Sequence, residues 1–174
     1  ILHFRCGDVP FNGHDVYRMP SVAYLQHVQD VLIQKSWRHA TLYWTLSNTV
    51  RQSYRLQCER MIRSIINVMP RLTISHRNDP DAWSTWTEFA RAPMLVALVQ
   101  SSYAFAIGVT TYGGFLLPWP ENDDCTVSED KKKQCLAVID SLPWNVSITP
   151  MLRRGIAFSY EVYDATSSTK MSKT

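Results

Sequence analysis

The sequence predicts a mainly α-helical protein with a single transmembrane helix, a long amphipathic helix or helix pair before it, and a short irregular tail after it. Three observations lead there. A stretch of 29 residues between Arg91 and Glu121 carries no charge, and the run from Ser21 to Met69 contains neither Gly nor Pro. The remainder is short and polar. The chain has 174 residues with 18 Lys/Arg against 15 Asp/Glu, a net charge of +3, enough length for one ordinary domain. Charged residues make up 19% and hydrophobic residues 45%, which excludes a disordered chain, and six Gly and nine Pro exclude a collagenous one.

Residues 1–20 read as an N-terminal arm, rich in Pro and Gly. The absence of a starting Met makes Ile1 a processed or truncated end, with any targeting segment already gone. Pro20 and Pro70 then bound the long amphipathic segment 21–70. Ser21 is a helix N-cap candidate, its side-chain oxygen answering free first-turn amides. Apolar or weakly polar residues recur at a mean spacing of about 3.5 along Val22, Leu25, Val28, Leu32, Ser36, Ala40, Tyr43, Leu46, Val50, Tyr54, Cys58, Met61, Ile65 and Val68, the period of a bundle seam. One helix, or two broken near Ser47-Asn48-Thr49, satisfies that pattern. Lys35, Arg38, Arg51, Arg55, Arg60 and Arg63 form a basic face for lipid or a partner; a solvated surface is the plainer account. Such a seam needs a partner surface, which the short connector and juxtamembrane helix of residues 71–91 cannot supply.

Residues 92–118 form the expected transmembrane helix. Within Met94–Leu117, 16 of 24 residues are Met, Leu, Val, Ile, Ala, Phe or Tyr. A helix of that length spans roughly 36 Å, against a hydrocarbon core of about 30 Å. Trp83, Trp86 and Trp119 flank it, as aromatic residues do at membrane interfaces. Pro93 suits a helix start, and Pro118 and Pro120 a sharp end. Ala97, Ser101, Ala104, Gly108 and Thr111 recur at alternating spacings of four and three, a small-residue face on which helices pack closely. The plainer account is a buried central helix, favoured by the Gln, Ser, Thr and Gly residues within the run.

Residues 119–174 form an outer-side tail. The positive excess of residues 1–91, 11 Lys/Arg against 7 Asp/Glu, puts the N-terminal part on the matrix or cytoplasmic side. Cys6 and Cys58 then lie on the reducing side as free thiols. Cys125 and Cys135 lie in the outer compartment, where they can close a local disulfide. Helix-hairpin proteins of the mitochondrial intermembrane space use two Cys-x9-Cys segments, and this chain has one. Gln134–Leu142 suggests a short helix before Pro143, and Ile156–Val162 a short strand or extended arm. Ala165–Thr174 has the composition of a mobile end. Asn145-Val146-Ser147 fits a glycosylation acceptor.

No catalytic, cofactor or metal motif stands out, so no enzyme and no cofactor are expected. Phosphate-binding glycine loops, nucleophile elbows and His-Glu-x-x-His helices are absent. The five His are scattered, and no Cys-x-x-Cys exists. His14-Asp15 reads as a loop-ordering pair and Asp79-Pro80-Asp81 as a turn. His27 and His39 are weak haem-ligand candidates; Gln100 and Tyr103 are poor ligand candidates within the apolar run.

This layout is similar to that of accessory subunits of mitochondrial inner-membrane complexes. The similarity implies a non-catalytic structural subunit that stabilises assembly by helix packing, in a respiratory-chain complex or, alternatively, the ATP synthase. Its partners would be other subunits and membrane lipids, with nucleic acid not expected. Its place would be the mitochondrial inner membrane, single-pass, with the N-terminal part in the matrix. The rival from another class is a soluble helical module binding protein or RNA through the Arg face.

Overall fold

Strands alternate with helices along the chain. In the computed structural model these are β1 (Leu2–Arg5), α1 (Val22–Gln34), β2 (His39–Thr45), α2 (Gln52–Val68), β3 (Thr73–Asn78), α3 (Ala82–Arg91), β4 (Met94–Ala97), α4 (Ser102–Thr110), β5 (Gly114–Pro120), α5 (Glu129–Asp140) and β6 (Val146–Met151). A two-stranded antiparallel pair follows, β7 (Val162–Tyr163) with β8 (Lys170–Met171). The described residues are 1–6, 20–45, 52–78, 82–120, 129–151, 162–163 and 170–171. His14-Asp15, Ser47-Asn48-Thr49, Arg51, Asp79-Pro80-Asp81, Cys125 and Ile156–Ser159 lie outside them.

β1 to β6 form one parallel sheet in the order β3-β2-β1-β4-β5-β6. Leu2 and Phe4, Leu42 and Trp44, and Val96 and Leu98 join a core with α1 and α2, where Leu25, Val28, Leu32, Cys58, Met61 and Ile65 are buried. Tyr43, Leu95, Ala97, Phe115 and Leu117 join a second core with Phe89 of α3 and Ala104 and Ile107 of α4. Alternate residues of each central strand thus serve opposite faces, as the two-residue period of a strand requires.

This architecture corrects the expected mainly α fold and its membrane helix. Among the described residues no helix is long and apolar enough to cross a membrane, which also overturns the single-pass inner-membrane placement and the membrane terms attached to it. Met94–Leu117 folds instead as a strand, a nine-residue helix and a second strand. A parallel strand covered on both faces is apolar at every position, so a buried β-α-β unit reads as one continuous apolar run. The polar residues that dilute the run are its joints. Ser101 caps α4 at its N-terminus, Thr111 caps it at its C-terminus, and Gly113-Gly114 passes close beneath the Ala92–Pro93 backbone, where a Cβ on Gly113 would overlap the Ala92 carbonyl.

The small-residue face is likewise divided: Ala97 ends β4, Ser101 and Thr111 are the caps, and Ala104 and Gly108 are buried on α4. A Cβ on Gly108 would fall on the Phe115 ring, so this face packs α4 onto the chain's own sheet.

The long helical segment is also divided. Two helices are present, but β2 lies between them, built from the β-branched and aromatic run Thr41, Tyr43, Trp44 and Thr45. α1 stops at Ser36, whose φ of 60° is left-handed. The Ser36 N–H bonds the Ile33 carbonyl at 2.9 Å and the Trp37 N–H bonds that of Leu32 at 3.0 Å, a Schellman closure made without Gly. The apolar seam therefore meets a sheet rather than another subunit. Its basic face separates too. Lys35 lies over the Trp37 ring and Arg38 donates to the Ile33 carbonyl beyond α1, while Arg55, Arg60 and Arg63 are exposed on α2.

Candidate ligand site at the strand-order reversal

From β1 the chain winds outward through β2 and β3; from β4 it winds the other way through β5 and β6. The connections leaving the carboxyl ends of β1 and β4 consequently enter helices on opposite faces of the sheet, α1 on one and α4 on the other. In open α/β sheets such a reversal leaves a crevice at the carboxyl ends of the two strands, where ligands bind.

Two helices begin at this edge. Ser21 caps α1, its Oγ accepting the Tyr24 N–H at 3.1 Å. The buried Tyr24 hydroxyl donates to the Ala97 carbonyl at 2.6 Å, seating the first turn of α1 against the end of β4. Burial pushes the Tyr24 phenol well above its ordinary pKa, so it stays a protonated donor. Four residues beyond Ala97, Ser101 caps α4 and its Oγ accepts the Ala104 N–H at 3.4 Å. Leu98 extends the pairing past the last residue of β4, its N–H bonding the His3 carbonyl at 2.9 Å. Arg5, the half-buried last residue of β1, stands at the same carboxyl edge. Helix N-termini favour anions through free amides and the helix dipole, and Arg adds a full positive charge.

The next residue fastens this corner. Cys6 is disulfide-bonded to Cys58 of α2, with 6.0 Å between their Cα atoms, which corrects the expectation of two free thiols. Buried polar groups without a hydrogen-bond partner among the described residues include Trp44 Nε1 on β2, both amide atoms of Gln57 beside Cys58, and His3 Nδ1 on β1. His3 is buried with ring centroids 5.5 Å from Phe89 and 5.6 Å from Tyr103. Burial, and secondarily the Arg5 charge, lower its pKa to about 4, so it is neutral at physiological pH. Buried Tyr43 is pushed up to about 12, first by burial and then by its hydrogen bond to Glu88; Arg77 donates to its hydroxyl at 3.3 Å.

An aromatic series borders the α4 side. Tyr103, in the first turn of α4, packs edge-on to Trp86 of α3 at 5.9 Å, and Trp86 lies 6.1 Å from Trp83 with their planes 31° apart. Thr85 Oγ1 and the Tyr103 hydroxyl are 2.9 Å apart, locking the first turns of α3 and α4 together.

Of the residues singled out from sequence, Ser101, Gln100 and Tyr103 come to this edge, as the α4 cap and its neighbours. Ala104, Gly108 and Thr111 serve the core below it. His27 and His39 are exposed, on α1 and at the start of β2. Cys135 lies in α5; with Cys125 outside the described residues, that disulfide stays an expectation. Asn145 is buried, its Nδ2 donating to the carbonyls of Gly108, Thr111 and Gly113, which is a structural role for the glycosylation-like triplet. Among the described residues no three His, Cys, Asp or Glu group to hold a metal. Sequence reasoning missed Arg5, and that the capped starts of α1 and α4 stand at one edge of the sheet. The signal was present: a short apolar run before Arg5, and again before Ser101, each followed by a helix.

Sheet order, alternation and reversal together define an open, doubly wound α/β domain with the strand order of the dinucleotide-binding fold. The chain matches no protein-family profile, no curated protein and no solved structure.

Proposed function

We propose that this domain binds a small phosphate-bearing molecule in the crevice between the carboxyl ends of β1 and β4. The observation that carries the reading is that two Ser-capped helices and Arg5 all stand at the carboxyl edge of the reversal, with the Tyr24–Ala97 hydrogen bond seating α1 against the end of β4. A dinucleotide held by a glycine-rich turn is not the ligand this supports. Only Gly7 and Gly13 lie between β1 and α1, and they do not form the Gly-x-Gly-x-x-Gly fingerprint. The structural-subunit expectation drew its support from the membrane helix and is not carried forward. The Cys6–Cys58 disulfide supports maturation in an oxidising compartment, since such bonds rarely persist among cytosolic thiols.

Helix N-termini contribute about 0.3–1 kcal/mol each to holding an anion at exposed sites, and hydrogen bonds to a charged group about 1.5–3 kcal/mol. Arg5 is therefore the largest single contributor. Titration calorimetry with inorganic pyrophosphate tests the reading. Binding should weaken roughly 10- to 100-fold in Arg5→Gln and fall with added salt. Absence of binding, or equal binding by Arg5→Gln, refutes it.

A further inference from the structure

The opposite, amino-terminal edge of the sheet carries a different surface. Helices α3, α4 and α5 end there, because the strands that follow them begin there. Three turns are sewn together at this edge. The Thr111 hydroxyl donates to the Ala90 carbonyl at 2.7 Å and the Gly114 N–H to that of Pro93 at 3.0 Å, which seats the turn after α4 on the turn after α3. Asn145 Nδ2 donates to the Thr111 and Gly113 carbonyls at 2.9 and 3.0 Å, which seats the turn before β6 on the turn after α4. Beside these bonds each turn leaves one side chain in solvent: Arg91, Tyr112 at 92% exposure and Trp144 at 91%. Tyr112 and Trp144 are the most exposed large hydrophobic side chains among the described residues. The backbone that carries them is fixed in advance of any ligand.

The Arg91 turn also borders a hollow of about 540 Å³, whose lining includes Thr87, Glu88, Arg91, Ala92 and Pro93. Glu88 and Arg91 put a carboxylate and a guanidinium into the lining of one hollow. Hydroxyl groups satisfy both, since each can donate to the one and accept from the other; a phosphate would be drawn by Arg91 and repelled by Glu88. The Glu88 hydrogen bond to Tyr43 leaves acceptor capacity on a carboxylate with about four lone-pair sites.

We propose that this edge binds an oligosaccharide, with one sugar unit in the hollow, hydrogen-bonded through neighbouring hydroxyls to Glu88 and Arg91, and further units laid on the Tyr112 and Trp144 rings. A sugar ring is apolar on its C–H faces and polar around its rim, and this surface offers both partners. Exposed Thr110, Asp140 and Ser147 lie within four residues of the two rings, in place of the contiguous apolar patch that marks a protein contact. The inference is independent of the phosphate reading, because the two sites lie at opposite edges of the sheet.

Titration calorimetry of the full chain with cellotetraose, tetra-N-acetylchitotetraose, maltotetraose, mannotetraose and tetragalacturonate tests it, together with the variants Arg91→Gln, Tyr112→Ala and Trp144→Ala. All three residues are exposed, so no variant opens a cavity, and circular dichroism confirms that each folds. At least one saccharide should bind. Arg91→Gln should weaken that binding roughly 10- to 100-fold, the worth of a hydrogen bond to a charged group. Tyr112→Ala and Trp144→Ala should each weaken it roughly 2- to 10-fold, the worth of one ring contact. Failure of all five saccharides to bind would overturn the proposal, as would binding that all three variants leave unchanged. Trp144-dependent binding of the apolar dye 8-anilinonaphthalene-1-sulfonate, with no saccharide bound, would overturn it in favour of an apolar partner.

Discussion

The two halves of the sheet, on either side of the reversal, are held by different chemistry at opposite edges. In the first half, β1-α1-β2-α2-β3, the tie is covalent: Cys6 follows β1 and bonds Cys58 of α2, at the carboxyl edge beside Arg5. In the second half, β4-α4-β5-α5-β6, the tie is a buried amide. Asn145 precedes β6 and reaches the Gly108, Thr111 and Gly113 carbonyls at 3.3, 2.9 and 3.0 Å, at the edge away from the ligand site. The first half thus clamps its contribution to the site directly. The second half fixes the C-terminal end of α4 and leaves its capped N-terminus to be located by Tyr103 and the aromatic contacts. The strand end that carries Arg5 is thus held by a covalent bond one residue away, and the α4 N-terminus by side-chain contacts alone.

The covalent tie carries the largest expected effect. The cysteines are 52 residues apart, and closing a loop of that length in the unfolded chain stabilises the native state by about 4 kcal/mol. The double variant Cys6→Ala/Cys58→Ala should lose about that much in urea unfolding, and reductant should lower the wild-type midpoint equally. A midpoint indifferent to both would remove the covalent side of the comparison.

His3 sits on the seam between the halves, on β1 opposite Ala97 of β4. Its pKa falls from an ordinary 6.5 to about 4 on folding, because burial and then Arg5 disfavour the imidazolium. The unfolded chain therefore binds the extra proton more readily. Stability from this residue is fully present above pH 6.5 and is lost as pH falls toward 4, by about 3 kcal/mol once the ring is protonated in both states. Urea midpoints taken from pH 7 to pH 4 should decline more steeply for the wild type than for His3→Phe. Parallel declines would show that the seam carries no proton-linked cost.

How much of this was legible in the sequence differs between the halves as well. In the first half the sequence makes Ser21 an N-cap and puts Leu25, Val28, Cys58, Met61 and Ile65 on an apolar helical seam, and the structure has them as the α1 cap and as buried positions of α1 and α2. The helical period runs on through the seven residues of β2, because Ala40 and Tyr43 happen to prolong it. Single-residue spacing cannot separate a strand buried on both faces from a helix. Ser36 hid the break, since it adopts a left-handed conformation for which Gly is the usual sign. In the second half the same ambiguity was larger. A buried strand, a largely apolar helix and a second strand buried from Phe115 to Pro118 follow one another, and the caps Ser101 and Thr111 and the Gly113-Gly114 pair mark the joints. Residue spacing also gave no hint of the Cys6–Cys58 pairing, or of Arg5 as a site residue, because both depend on which strand ends adjoin.

The smallest expected effect belongs to the amide tie, and its size decides whether the halves differ in kind or only in chemistry. Asn145 has two amide hydrogens for three carbonyls, so at least one is shared. Asn145→Ala leaves those carbonyls short of donors at a cost of about 1–3 kcal/mol, below that of the disulfide. Asn145→Asp keeps the shape but turns a donor into an acceptor facing three others. It should therefore destabilise more than Asn145→Ala at pH 7, and regain stability at acid pH, where the carboxyl carries a proton to donate. Urea unfolding of the two variants at pH 7 and pH 4 separates these outcomes. If Asn145→Ala costs as much as losing the disulfide, the second half is as firmly tied as the first, and the two ties differ in chemistry alone. If Asn145→Asp is no worse than Asn145→Ala at either pH, the amide fills space without bonding, and the aromatic contacts of Tyr103 must hold α4 alone.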